Sequence, residues 1–292
     1  MSAGSERRDA PDGAGSGGGA GKNKQRLDQI LVKRGFFNTR SQAAAAVLAG
    51  CVSVDGKEAA KAGCLHYPGV DIELKEEPRF VSRGGLKLQR AFEAFNLDVS
   101  GRLVLDGGAS TGGFSDCLLK NGAARVIAVD VGYGQLDWGL RQDRRVQVME
   151  RTNIRYLKPG DLPARPSVAV LDLSFISLKK VIPAVIECLQ PGYQIIALVK
   201  PQFEAGRGKV GKGGVVRDLP VHREVLEGIW GFAEEAGCRV CGLVDSGIRG
   251  PKGNVEYLLY LVDGGGGNAV ALDREAVIEE LLRKVEAIIN PV

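Results

Sequence analysis

Beyond about residue 100 the chain alternates short apolar runs with stretches of helical periodicity. The runs lie at 103–106, 126–130, 146–149, 168–172 and 194–199, and residues 178–189 after the fourth run carry helical spacing. Short apolar runs separated by helices predict an α/β fold with a doubly wound parallel sheet, because each parallel crossover needs a helix to bring the chain back. A long helix is predicted at 219–236. The two strands after it, at 239–244 and 255–262, follow each other too closely for a crossover. The last strand must therefore return antiparallel. Gly264–Gly267 reads as a flexible joint and 273–289 as an amphipathic helix.

The first hundred residues follow a different pattern. Arg26–Gly35 predicts a short helix with Leu27, Ile30 and Leu31 on one face and Gly35 as its stop. Asn38-Thr39 caps a second helix through 43–48; Val52–Val54, a turn at Asp55-Gly56 and Val70–Leu74 then predict a small sheet. Residues 1–21 are Gly, Ala and Ser with mixed charge and read as a disordered tail. A polar break at 75–78 marks a boundary. The expected organisation is a small α+β domain at 22–76, a linker at 77–82, a larger domain at 83–263 and a C-terminal extension at 264–292.

Charge changes this picture in one place. The whole chain carries a net +4, yet residues 22–90 hold 13 Lys and Arg against 7 Asp and Glu, a local +6. The positive excess sits in the small domain, which favours a polyanionic partner through phosphate contacts and counterion release. No apolar stretch is long enough to span a bilayer and no apolar core follows the first charges, so a cytoplasmic protein without membrane contact is expected. The six cysteines are scattered, and Cys238-Arg-Val-Cys241 has neither a second pair nor a nearby His, so reduced thiols and no metal are expected. Only His66 and His222 are present, which disfavours a histidine base.

The richest stretch is Leu103–Gly113, where an apolar run ends in a carboxylate and breaks into four glycines within seven residues. Glycines there let a backbone approach a ligand, and the following helix start offers free N–H groups. A dinucleotide fingerprint beginning at Gly107 fails at Ala109. Asp106, Gly108 and Gly112 instead fit Asp-x-Gly-x-x-x-Gly, which resembles the S-adenosylmethionine loop of Rossmann-like methyltransferases. The second run ends at Asp130, where a carboxylate can accept from ribose hydroxyls. The cofactor-binding candidates are Asp106, Gly107, Gly108, Ser110, Thr111, Gly112, Gly113, Phe114, Asp130 and Asn153. Ligands in open sheets sit at the carboxyl ends of strands, which nominates Asp172, Lys200 and, from the start of the antiparallel strand, Glu256. Lys87, on the helix before the first strand, completes a set of two lysines and two carboxylates.

Two resemblances sharpen these readings. Arg26-Leu-Asp, Arg34-Gly35, Thr39-Arg40, Ala49-Gly50, Val52-x-Val54-Asp55-Gly56 and Lys61 resemble the S4 RNA-binding domain, which implies RNA contacts by Arg26, Lys33, Arg34, Arg40 and Lys61. Thr39 and Asp55 stand where that family often has Ser and Asn. Lys87, Asp172, Lys200 and Glu256 resemble the catalytic tetrad of FtsJ-like ribose 2'-O-methyltransferases. Asp172-Leu-Ser-Phe-Ile-Ser, Lys200-Pro-Gln-Phe-Glu, Gly213-Gly-Val-Val-Arg-Asp and Gly250-Pro-Lys-Gly-Asn-Val-Glu256 are similar, more closely, to the TlyA family. The resemblance implies a Rossmann-like seven-stranded methyltransferase sheet, last strand antiparallel, preceded by an S4 domain. It also implies S-adenosyl-L-methionine as methyl donor and ribosomal RNA or ribosomal subunits as partner. Asp172 would orient Lys200, which acts as base or as oxyanion stabiliser, while Lys87 and Glu256 position the ribose. A ribosome-assembly factor with an inactive methyltransferase fold, and a haemolysin, are the alternatives. Gly206–Gly213 mimics a phosphate-binding loop but has Gly213 where Ser or Thr must hold magnesium. Its Arg207, Lys209 and Lys212 are instead expected to form a mobile basic loop facing RNA.

Overall fold

The apolar runs pair into one seven-stranded sheet whose members are numbered here β1 (Leu103–Gly107), β2 (Arg125–Val129), β3 (Val146–Met149), β4 (Val168–Leu171), β5 (Gln194–Val199), β6 (Cys238–Asp245) and β7 (Tyr257–Asp263). Their spatial order is β3-β2-β1-β4-β5-β7-β6, and β7 runs opposite to the other six, antiparallel to both β5 and β6. This computed structural model describes residues 23–74, 79–206, 208–250, 252–265 and 272–289. Residues 1–21 of the expected tail, 77–78 of the linker, Arg207, and 266–267 of the glycine joint lie outside the described residues. The chain divides between Arg83 and Gly84 into two units, each with its own core.

Strands flanked by helices on both faces bury nearly every side chain, and Val104, Leu105, Val126, Ile127, Val168, Val170, Ile195 and Ala197 are all inaccessible to solvent. Helix Leu219–Glu235 lays Leu226, Ile229, Trp230 and Ala233 on this layer. The terminal helix, Arg274–Ile289, was expected as an extension beyond the domain. It instead adds Ile278, Leu281, Leu282 and Val285 to the same core, since apolar residues three and four apart form one stripe that must be buried. The single helix expected at 178–189 is divided into a 3-10 turn, Leu178–Lys180, and a helix, Ile182–Cys188. Pro183 lacks the N–H that would continue the first turn, so the helix restarts around it.

The first unit packs two helices, Leu27–Lys33 and Arg40–Leu48, on a three-stranded sheet of Val52–Val54, Lys57–Glu58 and Ile72–Leu74. Thr39 caps the second helix by accepting from the Gln42 N–H. Arg26 was expected inside the first helix. It lies in a two-residue strand with Gln25, paired to Leu65–His66, and the helix begins one residue later. No helix among the described residues is long and apolar enough to cross a membrane.

Candidate active site

Strand ends place the polar residues. At the carboxyl edge of the sheet, Gly107 is paired with Leu171, so Asp172 follows directly beside Gly108, and the Asp172 N–H donates to the Gly107 carbonyl at 3.0 Å. Val199 is paired with Tyr257, which sets Lys200 next to Glu256 because β7 runs the other way. The two lysines and two acids meet as two ion pairs. Lys200 Nζ donates to Asp172 Oδ1 at 2.6 Å and to Ser174 Oγ at 3.1 Å; Lys87 Nζ donates to Glu256 Oε2 at 2.6 Å. Gln202, two residues beyond Lys200, donates from Nε2 to Glu256 Oε1 at 3.5 Å. Lys87, Lys200 and Glu256 are at most 8% exposed, so these are desolvated charges that must be paired. Lys200 has an acid and a hydroxyl as its partners rather than a second cation.

The glycine loop is shaped by its protein neighbours. A Cβ on Gly107 would strike Ile154 and Leu171, one on Gly108 would meet the Asp172 carbonyl at 2.5 Å, and one on Gly112 would strike Leu136 and Leu140. Gly108 and Gly112 also adopt φ of +86° and +95°, where side chains are strained. The requirement for glycine thus arises first from close packing of the loop on β4 and the 136–140 segment. Gly113 and Phe114 open helix Gly113–Lys120 and are buried, Thr111 is half-buried, and Ser110 is exposed on the crest of the turn with φ +49°.

The acids expected to face a ligand are partly engaged by the chain itself. Asp130 accepts from the Ser110 N–H at 2.8 Å and the Gly132 N–H at 2.6 Å, which folds the loop over the end of β2 while leaving each oxygen a second lone pair. Asn153 is exposed and caps a 3-10 turn through the Arg155 N–H. Asp106 is fully enclosed: Oδ2 accepts from the Ser115 hydroxyl at 2.6 Å, and Oδ1 has no partner. Burial pushes its carboxyl up to about 7; the Ser115 hydroxyl opposes the rise, and the nearby charges of Asp172 and Asp130 add to it. With Asp106 enclosed and Asp172 paired to Lys200, Asp130 is the one of these three carboxyls left open to a ligand, where it disfavours a pyrophosphate and can accept from hydroxyl groups.

Asp106 carries a testable signature. Its folded carboxyl holds its proton up to about pH 7 against an ordinary 3.8. The folded state therefore binds more protons than the unfolded one between those values, and stability falls as pH rises through that window. Asp106→Asn is expected to melt higher than the parent at pH 8, with the gain largely gone at pH 5. Equal shifts at both pH values in thermal melts would refute the assignment.

In the first unit, Asp28 is buried and accepts from Arg26 Nε at 3.1 Å, Arg26 NH2 at 2.9 Å and Arg40 NH2 at 3.0 Å. Hydrogen bonding from Arg26 holds its carboxyl down at about 2, so it stays charged. Two of the expected RNA-binding arginines are thereby tied to one anchor while much of each side chain faces water. Arg34 donates to the Val70 carbonyl at 2.7 Å and lies over Phe36; Lys33 donates to Gln25; Lys61 is exposed. In the second unit Lys209 is paired with Glu224 and Lys212 is exposed. The expected mobile loop is fastened at 214–216, where the Asn254 side chain accepts from the Val216 N–H and donates to the Gly214 carbonyl. His222, buried between the Val216 carbonyl and the Tyr257 hydroxyl, adds a second tie.

Sequence reasoning overlooked Ser174, Phe175, Gln202 and Glu204. Each lies inside a motif already singled out, but only its neighbours in space distinguish it. Among the described residues no group of three His, Cys, Asp or Glu side chains could hold a metal ion.

Comparison with known proteins follows the same division of the chain. The family described as FtsJ-like methyltransferase matches residues 80–262, and that described as S4 domain matches residues 25–63. The chain is 47% identical over 240 residues to the 16S/23S rRNA (cytidine-2'-O)-methyltransferase TlyA of Mycobacterium tuberculosis, covering 82% of this chain and 90% of that one. It is 40% identical to Hemolysin A of Brachyspira hyodysenteriae, covering 81% and 99%. A solved structure of a candidate hemolysin from Streptococcus thermophilus shares 44% identity at a TM-score of 0.70, covering 91% of this chain and 98% of that one.

Proposed function

This chain belongs to the TlyA family of FtsJ-like methyltransferases with a leading S4 domain, and on that premise we propose that it transfers a methyl group from S-adenosylmethionine to a ribose 2'-hydroxyl of ribosomal RNA. The observation that carries this reading is the pair of lysine–carboxylate contacts, Lys200 with Asp172 and Lys87 with Glu256, at the same sheet edge as the glycine-rich loop and Asp130. The donor supplies an activated methyl on a positively charged sulfur; the protein must supply alignment and a stabilised oxygen nucleophile.

Gly107, Gly108, Ser110, Thr111 and Asp130 form the wall against which the donor rests, and the Asp130 carboxylate accepts from its hydroxyl groups. Lys200, held by Asp172 and Ser174, keeps its third N–H for the ribose oxygen and stabilises the negative charge that develops there as the hydroxyl proton passes to solvent. Lys87 and Glu256 fix the ribose side of the pocket. At the mouth, Phe175 is 90% exposed and offers an aromatic face to a base of the substrate. Arg26, Lys33, Arg34, Arg40 and Lys61 provide phosphate contacts in the S4 domain, with Lys209 and Lys212 doing so in the second unit.

The test is transfer of labelled methyl from S-adenosylmethionine to ribosomal subunits from cells lacking the protein, followed by mapping of 2'-O-methylated nucleotides. Label on a discrete ribose is the expected result. Tight binding to subunits without transfer would favour the assembly-factor reading and overturn this one.

A further inference from the structure

The segment between β4 and the next 3-10 turn is pinned on both sides of one unusual residue. Phe175 has φ +64°, a conformation costly for a bulky side chain, and points into solvent. On one side of it Ser174 accepts from Lys200 Nζ, and Leu173 packs against the core. On the other side Ile176 packs against the core, and Ser177 donates its hydroxyl to Glu204 Oε2 at 2.6 Å. Glu204 Oε1 accepts from the Leu178 N–H at 2.7 Å. The Phe203 ring stands 5.0 Å from that of Phe175. Lys200 and Glu204 lie at the two ends of the motif Lys200-Pro-Gln-Phe-Glu204, so one short helix grips the neighbouring loop at two points. Strained backbone persists only where its surroundings over-determine it. With the Glu204 contacts removed, the loop can relax and Phe175 can leave its outward position.

We propose that Glu204 is a positioning residue for the RNA side of the pocket: by closing the 174–178 loop it holds Phe175 outward at the mouth, where the nucleotide enters. This inference rests on the ribose-methyltransferase reading above. Glu204 itself touches neither donor nor RNA; it acts through Ser177, Leu178 and the ring of Phe175. Its carboxylate accepts two hydrogen bonds from one loop, which neither an amide nor an apolar side chain can reproduce.

The experiment is a double-substitution cycle of Glu204→Ala and Phe175→Ala in the full-length protein, with ribosomal subunits as substrate. Phe175→Ala is expected to raise KM for the subunits about tenfold in the parent but less than about threefold in the Glu204→Ala background, as coupled neighbours do. Glu204→Ala alone should raise the same KM by a comparable factor while S-adenosylmethionine affinity stays within about twofold. Glu204→Gln, which keeps one acceptor, should fall between, and it carries the same cycle if the alanine variant melts below assay temperature. An identical Phe175→Ala penalty in both backgrounds overturns the proposal, as does a Glu204→Ala protein that loses only thermal stability with KM unmoved. A silent Phe175→Ala in the parent would instead remove the RNA-facing reading of the mouth, and the proposal with it. Loss of S-adenosylmethionine binding in the parent would mark failure of the functional reading itself.

Discussion

Lys200→Ala is expected to bind S-adenosylmethionine as the parent does and to transfer methyl groups at least about 100- to 1,000-fold more slowly, the loss seen when a preorganised oxyanion donor is deleted. Two features separate the effects on binding and turnover. The glycine-rich loop and Asp130, which face the donor, follow β1 and β2, whereas Lys200 follows β5 and points at Asp172 and Ser174. Its ammonium is almost wholly withdrawn from water, so its charge acts through a low effective dielectric on any oxyanion beside it. An exposed lysine would be screened and its loss slight. Isothermal titration with the donor, together with single-turnover transfer to ribosomal subunits, checks both halves of the expectation. Turnover within a few-fold of the parent would remove Lys200 from the chemistry.

The second large effect concerns stability. Glu256 has no exposed side-chain surface and Lys87 very little, and each is the other's main counter-charge. Lys87→Met leaves a buried carboxylate supported, among the described residues, by the long contact from Gln202, and Glu256→Leu leaves a buried ammonium. Breaking one half of such a pair costs about 3–5 kcal/mol. For a unit of this size that lowers the melting temperature by on the order of 10 °C. The double variant Lys87→Met/Glu256→Leu carries no orphaned charge and is expected to recover most of the lost stability, while its methyl transfer stays abolished. Melting of the four proteins in parallel with the transfer assay decides the matter. Additive destabilisation in the double variant would show that the two charges do not depend on each other.

These outcomes share a cause with Asp106. A carboxyl enclosed with one oxygen unpartnered, and two ion pairs largely withdrawn from water, are expensive features for a fold whose core is otherwise mainly apolar. They cluster at one edge of one sheet. Concentration of such groups at strand ends is characteristic of sites built for chemistry.

Much of this architecture was written locally. Runs such as Val168–Leu171 and Gln194–Val199 are apolar at every central position, which specifies strands buried on both faces, and the short link between 245 and 257 forces the reversal of β7. The glycine-rich turn after Asp106 and the basic excess of the first unit are likewise matters of composition and spacing. What only the folded chain decided were contacts between residues far apart in sequence. Lys87 and Glu256 are separated by 169 positions, and their meeting depends on the register that sets Val199 opposite Tyr257. A second register, which sets Gly107 opposite Leu171, leaves Asp172 beside Gly108, so that this glycine is required by a carbonyl of β4's exit rather than by a ligand. Phe175 reads in sequence as one more apolar residue of a strand end. It is turned outward because Leu173 and Ile176 claim the core while Lys200 and Glu204 hold its flanks. Hydrophobic period and turn chemistry are properties of neighbours along the chain and so are legible from it. Charge pairing, enclosure and strain are properties of neighbours in space, and they come into being only when the strands are laid side by side.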